Sequence, residues 1–337
     1  MSSSRYSPIG FYSLARPFLF LLQPEQAHHL SLRGLSLAGR LPLFPSLIKN
    51  FAPKDDPIEC SGLHFPNRIG MAAGYDKNAV ALKGLANMGF GHIEVGTITP
   101  KPQKGNPHPR ITRLNKEDAL VNRLGFPNEG VKTIKARIIR YRNSSATQHN
   151  TPILGINIGK NKNTPNEKAG KDYLLCYREL ASLADYIVIN ISSPNTPGLR
   201  ELQNRDGLLR ILSPIQEEAQ KYQKAPPLFV KLSPDLSPQM RETLLAQLRT
   251  LDIHGLILSN TQKTEVPFSG GKSGLPLRNA SLSIIRSCRA QLPNATIIAS
   301  GGIGLDGDTQ VFVEAGADLV QIWTALIYRG PWLLRRL

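Results

Sequence analysis

Hydroxyl, amide and cationic side chains interrupt the apolar stretches of this sequence, and they are the residues able to do chemistry. The clearest case is NISSPNTPG at 190–198, which directly follows the apolar YIVI. Ser192 and Ser193 have two open interpretations there: they cap a turn before the next proline, or one of them is a base at an active-site mouth. Lys231 lies inside another apolar run, LFVKLSP, where a lysine needs an anion or another partner.

Other apolar runs also end in glycines, amides or cations. SGG at 300–302 and the pair Trp323-Thr324 close the last two runs, and backbone amides at such places predict a phosphate site. Gly301-Gly302 alone is equally typical of a tight turn. The groups able to hold a polar heteroaromatic ring are Gly74, Lys77, Asn157, Asn190 and Lys231. Together these features predict a phosphorylated cofactor with a hydrogen-bonding ring, such as FMN.

These groups belong to eight apolar, β-rich runs that alternate with amphipathic helical stretches. The runs are RIGMAA (68–73), HIEVGT (92–97), ILGINIG (153–159), YIVINIS (186–192), LFVKLSP (228–234), HGLILSN (254–260), TIIASGG (296–302) and LVQIWT (319–324). Their continuous hydrophobicity is typical of a parallel sheet that is buried on both faces. We therefore predict an α/β fold, a (β/α)8 TIM barrel whose strands all end at one face. A doubly wound sheet is the alternative, although no GxGxxG follows the first strand.

Two connections between these runs are too long to be simple turns. They are residues 98–152, after the second run, and 261–278, after the sixth. Long loops at the mouth of a barrel usually bind or cover ligands, so we expect these two connections to do so.

Composition narrows the class of protein. The 337 residues carry a formal charge of +16, but the Lys and Arg residues are scattered and no nucleic-acid-binding motif is present, so we predict no nucleic-acid partner. Cys60, Cys176 and Cys288 lack metal-ligand spacing, which indicates a reducing compartment and no metal site. Anionic small molecules and an anionic membrane surface suit the positive charge better.

The first 50 residues differ from the rest. Residues 7–22, SPIGFYSLARPFLFLL, are rich in Phe and Leu, and the prolines after Ser7 and Gln23 predict the starts of two helices. No stretch approaches the ~20 apolar residues of a membrane span, and a secretory signal fits poorly. We predict two short helices that lie on a membrane surface. A helical cap on the main domain and a transit peptide are the alternatives.

Several motifs resemble those of one family, in order from about residue 23 to the C-terminus. They are PEQAHHL, AAGYDKN (72–78), EVGTITPKPQKGNPHPR (94–110), NRLGF (122–126), GINIGKNK (155–162), INISSPNTPGLR (189–200), SNT (259–261), GGKSGLPL (270–277) and the final SGGI and WTAL. The chain is similar to the class 2 dihydroorotate dehydrogenases, which are membrane-associated, FMN-dependent, quinone-reducing enzymes of pyrimidine synthesis. The resemblance implies oxidation of (S)-dihydroorotate to orotate, with FMN and then ubiquinone or menaquinone as electron acceptors.

The resemblance also implies roles for individual residues. Ser193 matches the catalytic base of the family, and the class 1 relatives have a cysteine there. His28 and Arg113 fall where the family lines its quinone tunnel. The implied cofactor contacts are Ala73, Gly74, Lys77, Thr97, Asn157, Asn190, Lys231, Ser259, Gly274, Gly302, Trp323 and Thr324. The implied substrate contacts are Lys77, Asn122, Arg123, Leu124, Gly125, Phe126, Asn190, Asn195, Asn260 and Thr261.

Some positions depart from the commonest pattern of the family. Ser259 stands where threonine is usual, and Trp323 stands where tyrosine is usual. Lys272 replaces an apolar residue, and the connection 262–269 is short. We expect these changes to affect the shape of the substrate lid rather than the chemistry.

We expect a membrane and quinone-tunnel segment at 1–50 and an FMN-binding barrel at 51–337, in a monomer or weak homodimer. The resemblance implies a peripheral membrane protein on the cytoplasmic face of a bacterial inner membrane. Two rival functions stay open: a class 1 type dehydrogenase that uses fumarate or NAD, and a membrane-associated barrel that binds a phosphorylated ligand without catalysis. The serine at 193 and the N-terminal extension argue against the first rival.

Overall fold

The computed structural model describes residues 5–41, 51–145 and 151–337. Within these ranges the strands are β1 (Ile58–Cys60), β2 (Leu63–Phe65), β3 (Ile69–Met71), β4 (His92–Ile98), β5 (Ile111–Leu114), β6 (Ala119–Asn122), β7 (Ile153–Ile158), β8 (Tyr186–Asn190), β9 (Leu228–Lys231), β10 (Gly255–Leu258), β11 (Gln262–Thr264), β12 (Gly270–Gly274), β13 (Thr296–Ser300) and β14 (Leu319–Ile322). The α-helices are α1 (Tyr12–Leu21), α2 (Pro24–Ala38), α3 (Leu82–Asn87), α4 (Gly130–Ser145), α5 (Ala169–Leu180), α6 (Arg205–Ala219), α7 (Pro238–Leu248), α8 (Arg278–Gln291), α9 (Asp308–Glu314) and α10 (Thr324–Arg329).

Eight parallel strands form a closed barrel. Their order is β3, β4, β7, β8, β9, β10, β13 and β14, and β14 pairs with β3. β4 and β8 are buried at every position, as a strand covered on both faces requires. Each of the eight strands overlaps one of the eight predicted runs. The barrel therefore confirms the predicted (β/α)8 fold and excludes the doubly wound sheet.

Apolar packing fills the amino-terminal end of the barrel. The antiparallel hairpin of β1 and β2 covers this end, and Phe65 packs there against the first residues of several barrel strands. His92 lies edge-on to the Phe65 ring, fully buried, with neither ring nitrogen hydrogen-bonded. Burial lowers the pKa of His92 to about 3, so this imidazole is neutral. Packed side chains therefore close the barrel interior at this end.

The two long connections, predicted to bind or cover ligands, pair with each other. β5 and β6 come from the first connection and β11 and β12 from the second. They form one antiparallel sheet in the order β11, β12, β6, β5, in which Gly271 pairs with Asn122. This sheet stands beside the carboxyl ends of the barrel strands, because β6 and β12 run directly into residues at those ends.

Polar contacts attach α1 and α2 to the rest of the protein. Arg113 of β5 donates to the carbonyls of Phe20 and Leu22, at 3.2 and 2.9 Å, and so caps the end of α1. Glu25, in the first turn of α2, pairs with Arg110 at 2.6 Å. Both anchors come from the connection between β4 and β6, so the helices are held against the mouth of the barrel.

The start of α1 differs from the prediction. α2 begins at Pro24 as expected, but α1 begins at Tyr12 rather than beside Ser7. The cause is a tertiary contact: the Tyr6 side chain is fully buried, and its backbone N–H donates to the Asp118 carboxylate at 3.0 Å. The predicted boundary at residue 50 lies outside the described residues. No α-helix of the described ranges has both the length and the hydropathy to cross a membrane.

Candidate active site

A polar pocket lies at the carboxyl ends of the barrel strands, against the antiparallel sheet. It brings together residues from the whole length of the chain. The predicted cofactor contacts in its wall are Ala73, Gly74, Lys77, Thr97, Asn190, Lys231, Ser259, Gly274, Gly302, Trp323 and Thr324. The predicted substrate contacts in its wall are Lys77, Asn122, Leu124, Gly125, Phe126, Asn190, Asn195, Asn260 and Thr261, and Ser193 lies among them.

Two predicted contacts are not in the wall of the pocket. Asn157 is fully buried below it, where its side chain accepts hydrogen bonds from Thr97 at 2.6 Å and from Asn190 at 3.1 Å. The Arg123 guanidinium points away from the pocket, because it donates to the Pro109 carbonyl at 2.9 Å and lies over the Phe268 ring. Asn157 thus acts on the pocket through two wall residues, whereas the Arg123 side chain does not reach it.

The two adjacent serines have different environments. The Ser192 hydroxyl donates to Asn190 at 2.9 Å and accepts from Asn260 at 2.9 Å, so it is a structural link below the wall. Ser193 lines the pocket, and its hydroxyl accepts the backbone N–H of Asn195 at 3.2 Å. Ser193 is therefore the serine whose oxygen is available to a ligand.

Arg200 fixes the segment that carries Ser193. Its guanidinium donates to the carbonyls of Ser192 and Thr261, at 2.9 and 3.0 Å, and pairs with Asp235. It therefore joins the segment after β8 to the segment after β10, and these form two sides of the pocket. The sequence shows an arginine in a motif here, but nothing in the sequence identifies its partners.

Lys77 is a cation at the edge of the pocket. Its ammonium donates to the Gly74 carbonyl at 2.6 Å and lies 6.0 Å from the centre of the Trp323 ring. Burial lowers the pKa of Lys77 to about 8, although the Glu25 carboxylate opposes part of this shift. Lys77 is still charged at neutral pH, and an anion bound beside it would raise its pKa again.

The anion that Lys231 requires lies inside the protein. The Glu94 carboxylate of β4, fully buried, is 3.6 Å from the Lys231 ammonium. It also accepts hydrogen bonds from the side chains of Asn157, at 2.7 Å, and Gln321, at 2.6 Å. Sequence reasoning missed Glu94, although an acid in an apolar strand is the same signal that identified Lys231. Lys231 alone is therefore no proof of an anionic ligand.

Two features of the pocket suit a flavin: the shape of its backbone and its polar atoms that lack a hydrogen-bond partner. Gly74 has φ 94°, and a Cβ added there would meet no atom within 4 Å, so a flat ring can approach the backbone directly. At Gly302, φ 80°, a Cβ would lie 2.3 Å from the backbone of Arg278, so only glycine permits this tight turn. Gln321 Oε1 and Trp323 Nε1 are buried without a hydrogen-bond partner, as expected in the wall of a site for a polar ligand.

A second cavity, of about 330 Å³, lies between the helices α1 and α2 and the barrel, and its walls are mostly apolar. The predicted quinone-site residues His28 and Arg113 both line it. Burial lowers the pKa of His28 well below its usual value, and the nearby Lys77 lowers it further, so the imidazole is neutral. Trp323 lines this apolar cavity as well as the polar pocket. Trp323 therefore forms part of a shared wall between the two.

The sequence of this chain is similar to those of known dihydroorotate dehydrogenases. The family model described as dihydroorotate dehydrogenase matches residues 57–337. The dihydroorotate dehydrogenase (quinone) of Stenotrophomonas maltophilia strain R551-3 is 44% identical, in an alignment of 336 positions that covers 96% of this chain and 93% of that protein. The protein of the same name from Janthinobacterium sp. strain Marseille is 42% identical, in an alignment of 337 positions that covers 96% of each chain.

Solved structures agree with the sequences. Ligand-free dihydroorotate dehydrogenase (DHODH) from Eimeria tenella has a TM-score of 0.84 and 38% identity, over 93% of this chain and 92% of its own. DHODH of the same organism in complex with ferulenol has a TM-score of 0.82 and 37% identity, over 93% and 89% of the two chains. The described residues form a barrel with a polar pocket at its strand ends, and the family model matches residues 57–337, so the chain belongs to the dihydroorotate dehydrogenase family.

Proposed function

We propose that this protein oxidises dihydroorotate to orotate with a bound FMN and passes the electrons to a membrane quinone, as a step in pyrimidine biosynthesis. One observation carries the proposal: Trp323 lines both the polar pocket and the apolar cavity. A polar ring and a lipid-soluble molecule can thus bind close to the same residue without sharing a site. When bound in the polar pocket, FMN supplies a two-electron acceptor.

The polar pocket suits dihydroorotate, a carboxylate with a urea-like edge. Asn122 and Asn195 are hydrogen-bonded to each other at 3.1 Å, and Asn260 lines the same pocket. Their remaining donors and acceptors match the edge of the ring. Lys77 would pair with the carboxylate. We infer that these four groups orient the substrate so that one face of its ring meets Ser193.

Ser193 is the proposed base, which removes a proton from a ring carbon of the substrate. Its support is its position in the wall with 5% of its surface exposed, since a poor base such as serine needs exclusion of water. As Ser193 Oγ takes the substrate's proton, its own hydroxyl proton passes to water, and the hydrogen bond from the Asn195 N–H stabilises the partial negative charge on this oxygen during the exchange.

The apolar cavity suits a quinone head group. His28 and Arg113 offer the polar contacts in an otherwise mostly apolar wall. A neutral imidazole can donate to a quinone oxygen without adding a second positive charge beside Arg113. Arg113 also holds the end of α1, so the residue that would bind quinone is the residue that fixes the wall.

The outer face of α1 supports a membrane-surface role for the segment 1–50. Phe11, Phe18 and Leu21 are 75%, 73% and 84% exposed, which is unusual for side chains of this size. Arg33 and Arg40 are exposed in the same segment and add positive charge. We propose that the apolar face enters a lipid interface while the arginines meet anionic headgroups, so that quinone enters the cavity from the membrane. The location would be peripheral, on the cytoplasmic face in a bacterium.

An acceptor assay tests this function. Purified FMN-loaded protein in detergent is given dihydroorotate and either a short-chain quinone, fumarate or NAD, and orotate is measured by its absorbance. We expect turnover with quinone and at most a few per cent of that rate with the other acceptors. A preference for fumarate or NAD would favour the class 1 type of reaction. FMN binding without orotate formation from any acceptor would favour a non-catalytic barrel.

A further inference from the structure

Glu94 is a buried acid directly below the wall of the polar pocket. Its side chain is fully buried, whereas two of its partners, Lys231 and Gln321, line the pocket. The third partner, Asn157, is bonded to two further wall residues. The strands β4, β7, β9 and β14 thus contribute one side chain each to a single cluster around this carboxylate.

The carboxylate fixes the orientation of an amide as well as balancing a charge. Asn157 Nδ2 donates to Glu94, so Asn157 Oδ1 must face the opposite way. That oxygen accepts from Thr97 and from Asn190, which line the pocket. Asn190 in turn accepts the hydroxyl of Ser192 at 2.9 Å. The cluster around Glu94 and the segment that carries the proposed base therefore share one hydrogen-bond network.

We infer that Glu94 is a positioning residue that sets the reduction potential of the flavin, by balancing the charge of Lys231 and by orienting Asn157. The inference rests on the proposed function, because it needs a flavin in the polar pocket. The 3.6 Å separation of Glu94 and Lys231 is longer than a hydrogen bond, so the ammonium keeps its donors for a ligand.

The two charges act on the flavin in opposite directions. Reduction adds negative charge to the bound flavin, which the ammonium of Lys231 favours and the carboxylate of Glu94 opposes. With both present, the pair carries no net charge. Removal of the Glu94 carboxylate alone leaves a positive charge, and removal of the Lys231 ammonium alone leaves a negative charge. The potential should therefore follow the net charge of this pair.

Glu94→Gln removes the charge and keeps the shape. The NH2 group of the new glutamine would face one of the two amides that donate to Glu94. Gln321 can turn its amide so that its Oε1, which has no other partner, accepts from this NH2 group. We expect the midpoint potential of the loaded full-length protein to rise. The protein should bind reduced flavin, relative to oxidised flavin, about tenfold more tightly than the wild type does. This change corresponds to a rise of about 30 mV for a two-electron couple.

The experiment is a redox titration of four variants with a reference dye. We expect the order Glu94→Gln, then wild type, then Lys231→Met, from highest to lowest potential. The double variant, which removes both charges, should lie close to the wild type, and Glu94→Asp, which keeps the charge, should too. If the unpaired cation prevents Glu94→Gln from folding, the double variant compared with Lys231→Met gives the same test.

The outcomes separate this inference from the proposed function. Equal potentials of Glu94→Gln and wild type, or of the double variant and Lys231→Met, overturn the role of Glu94. A wild-type protein that binds no flavin, or whose flavin is not bleached by dihydroorotate, overturns the proposed function instead.

Discussion

The polar pocket and the apolar cavity share Trp323 but are built differently. The pocket is made from the ends of barrel strands, and below its wall the Asn157 side chain bonds both to Glu94 and to Asn190 in the wall. The cavity is made between helices, and no residue of α1 or α2 is fully buried. Proton removal from a fixed ring needs the first kind of construction, and exchange of a lipid-soluble molecule needs the second.

The largest expected effect comes from the polar side. Ser193→Ala should slow flavin reduction by dihydroorotate by about 10²–10⁴-fold, the usual effect of losing a positioned base. FMN content and orotate affinity should change little, because Ser192 and Arg200 still hold the segment. Rapid mixing under anaerobic conditions measures the rate. Ser193→Cys is the control and should keep part of the activity. Near-normal flavin reduction in the alanine variant would remove Ser193 from its role.

A change on the apolar side should affect the other electron transfer. Ala27→Trp fills the cavity from α2 and should slow quinone-dependent turnover by about tenfold or more, through lost binding volume. The matched control is Gln26→Trp, since Gln26 is exposed on the same helix. Turnover is measured against quinone concentration. Equal losses in both variants would mean that the cavity is not the quinone site.

The charge of Lys77 gives the polar pocket a pH dependence. Its pKa of about 8 means that the cation is present below pH 8 and is lost as the pH rises through that value. Orotate affinity should therefore fall above pH 8, by up to about tenfold per pH unit. Flavin absorbance changes on orotate binding provide the dissociation constant at each pH. Lys77→Met should bind orotate weakly without this dependence; a retained dependence would assign it to another group.

The smallest effect on catalysis should come from the amino-terminal end of the barrel. His92 is buried as the neutral ring, whereas the unfolded chain binds a proton below pH 6.5, so acid should destabilise the folded protein. Between pH 7.5 and 5 the wild type should lose about 2 kcal/mol more than His92→Leu. Urea unfolding at both pH values measures this difference. The variant should keep both half-reactions, and a large loss of either would show that the two ends are coupled.

The sequence was sufficient for the barrel, because a strand buried on both faces requires a continuous apolar run. It was not sufficient for the antiparallel sheet. β6 and β12 are far apart in the chain, and their short, partly polar sequences carry no sign of their partner. The predicted start of α1 was wrong for a related reason. The burial of Tyr6 against the barrel overrides the local preference for a helix start at Ser7.

Most of the polar pocket was predictable, because parallel strands of a barrel bring their carboxyl ends to one face. The exceptions depend on side-chain direction and on distances across the barrel. Arg123 follows Asn122 directly, and neighbouring residues of an extended chain point to opposite sides. Ser192 and Ser193 are also neighbours, and only their different hydrogen-bond partners show which of the two hydroxyls faces the pocket. Glu94 was missed because its importance lies in its distance from Lys231 on another strand.

The division of work between the two sides of Trp323 can be measured in one double-mixing experiment. The flavin is first bleached anaerobically with dihydroorotate, or photochemically where that fails, and is then mixed with quinone while its colour returns. Ser193→Ala should slow the bleaching by dihydroorotate and leave the return of colour unchanged. Ala27→Trp should leave the bleaching unchanged and slow the return of colour. If either variant slowed both steps to the same extent, the two cavities would not be separate sites for the two half-reactions.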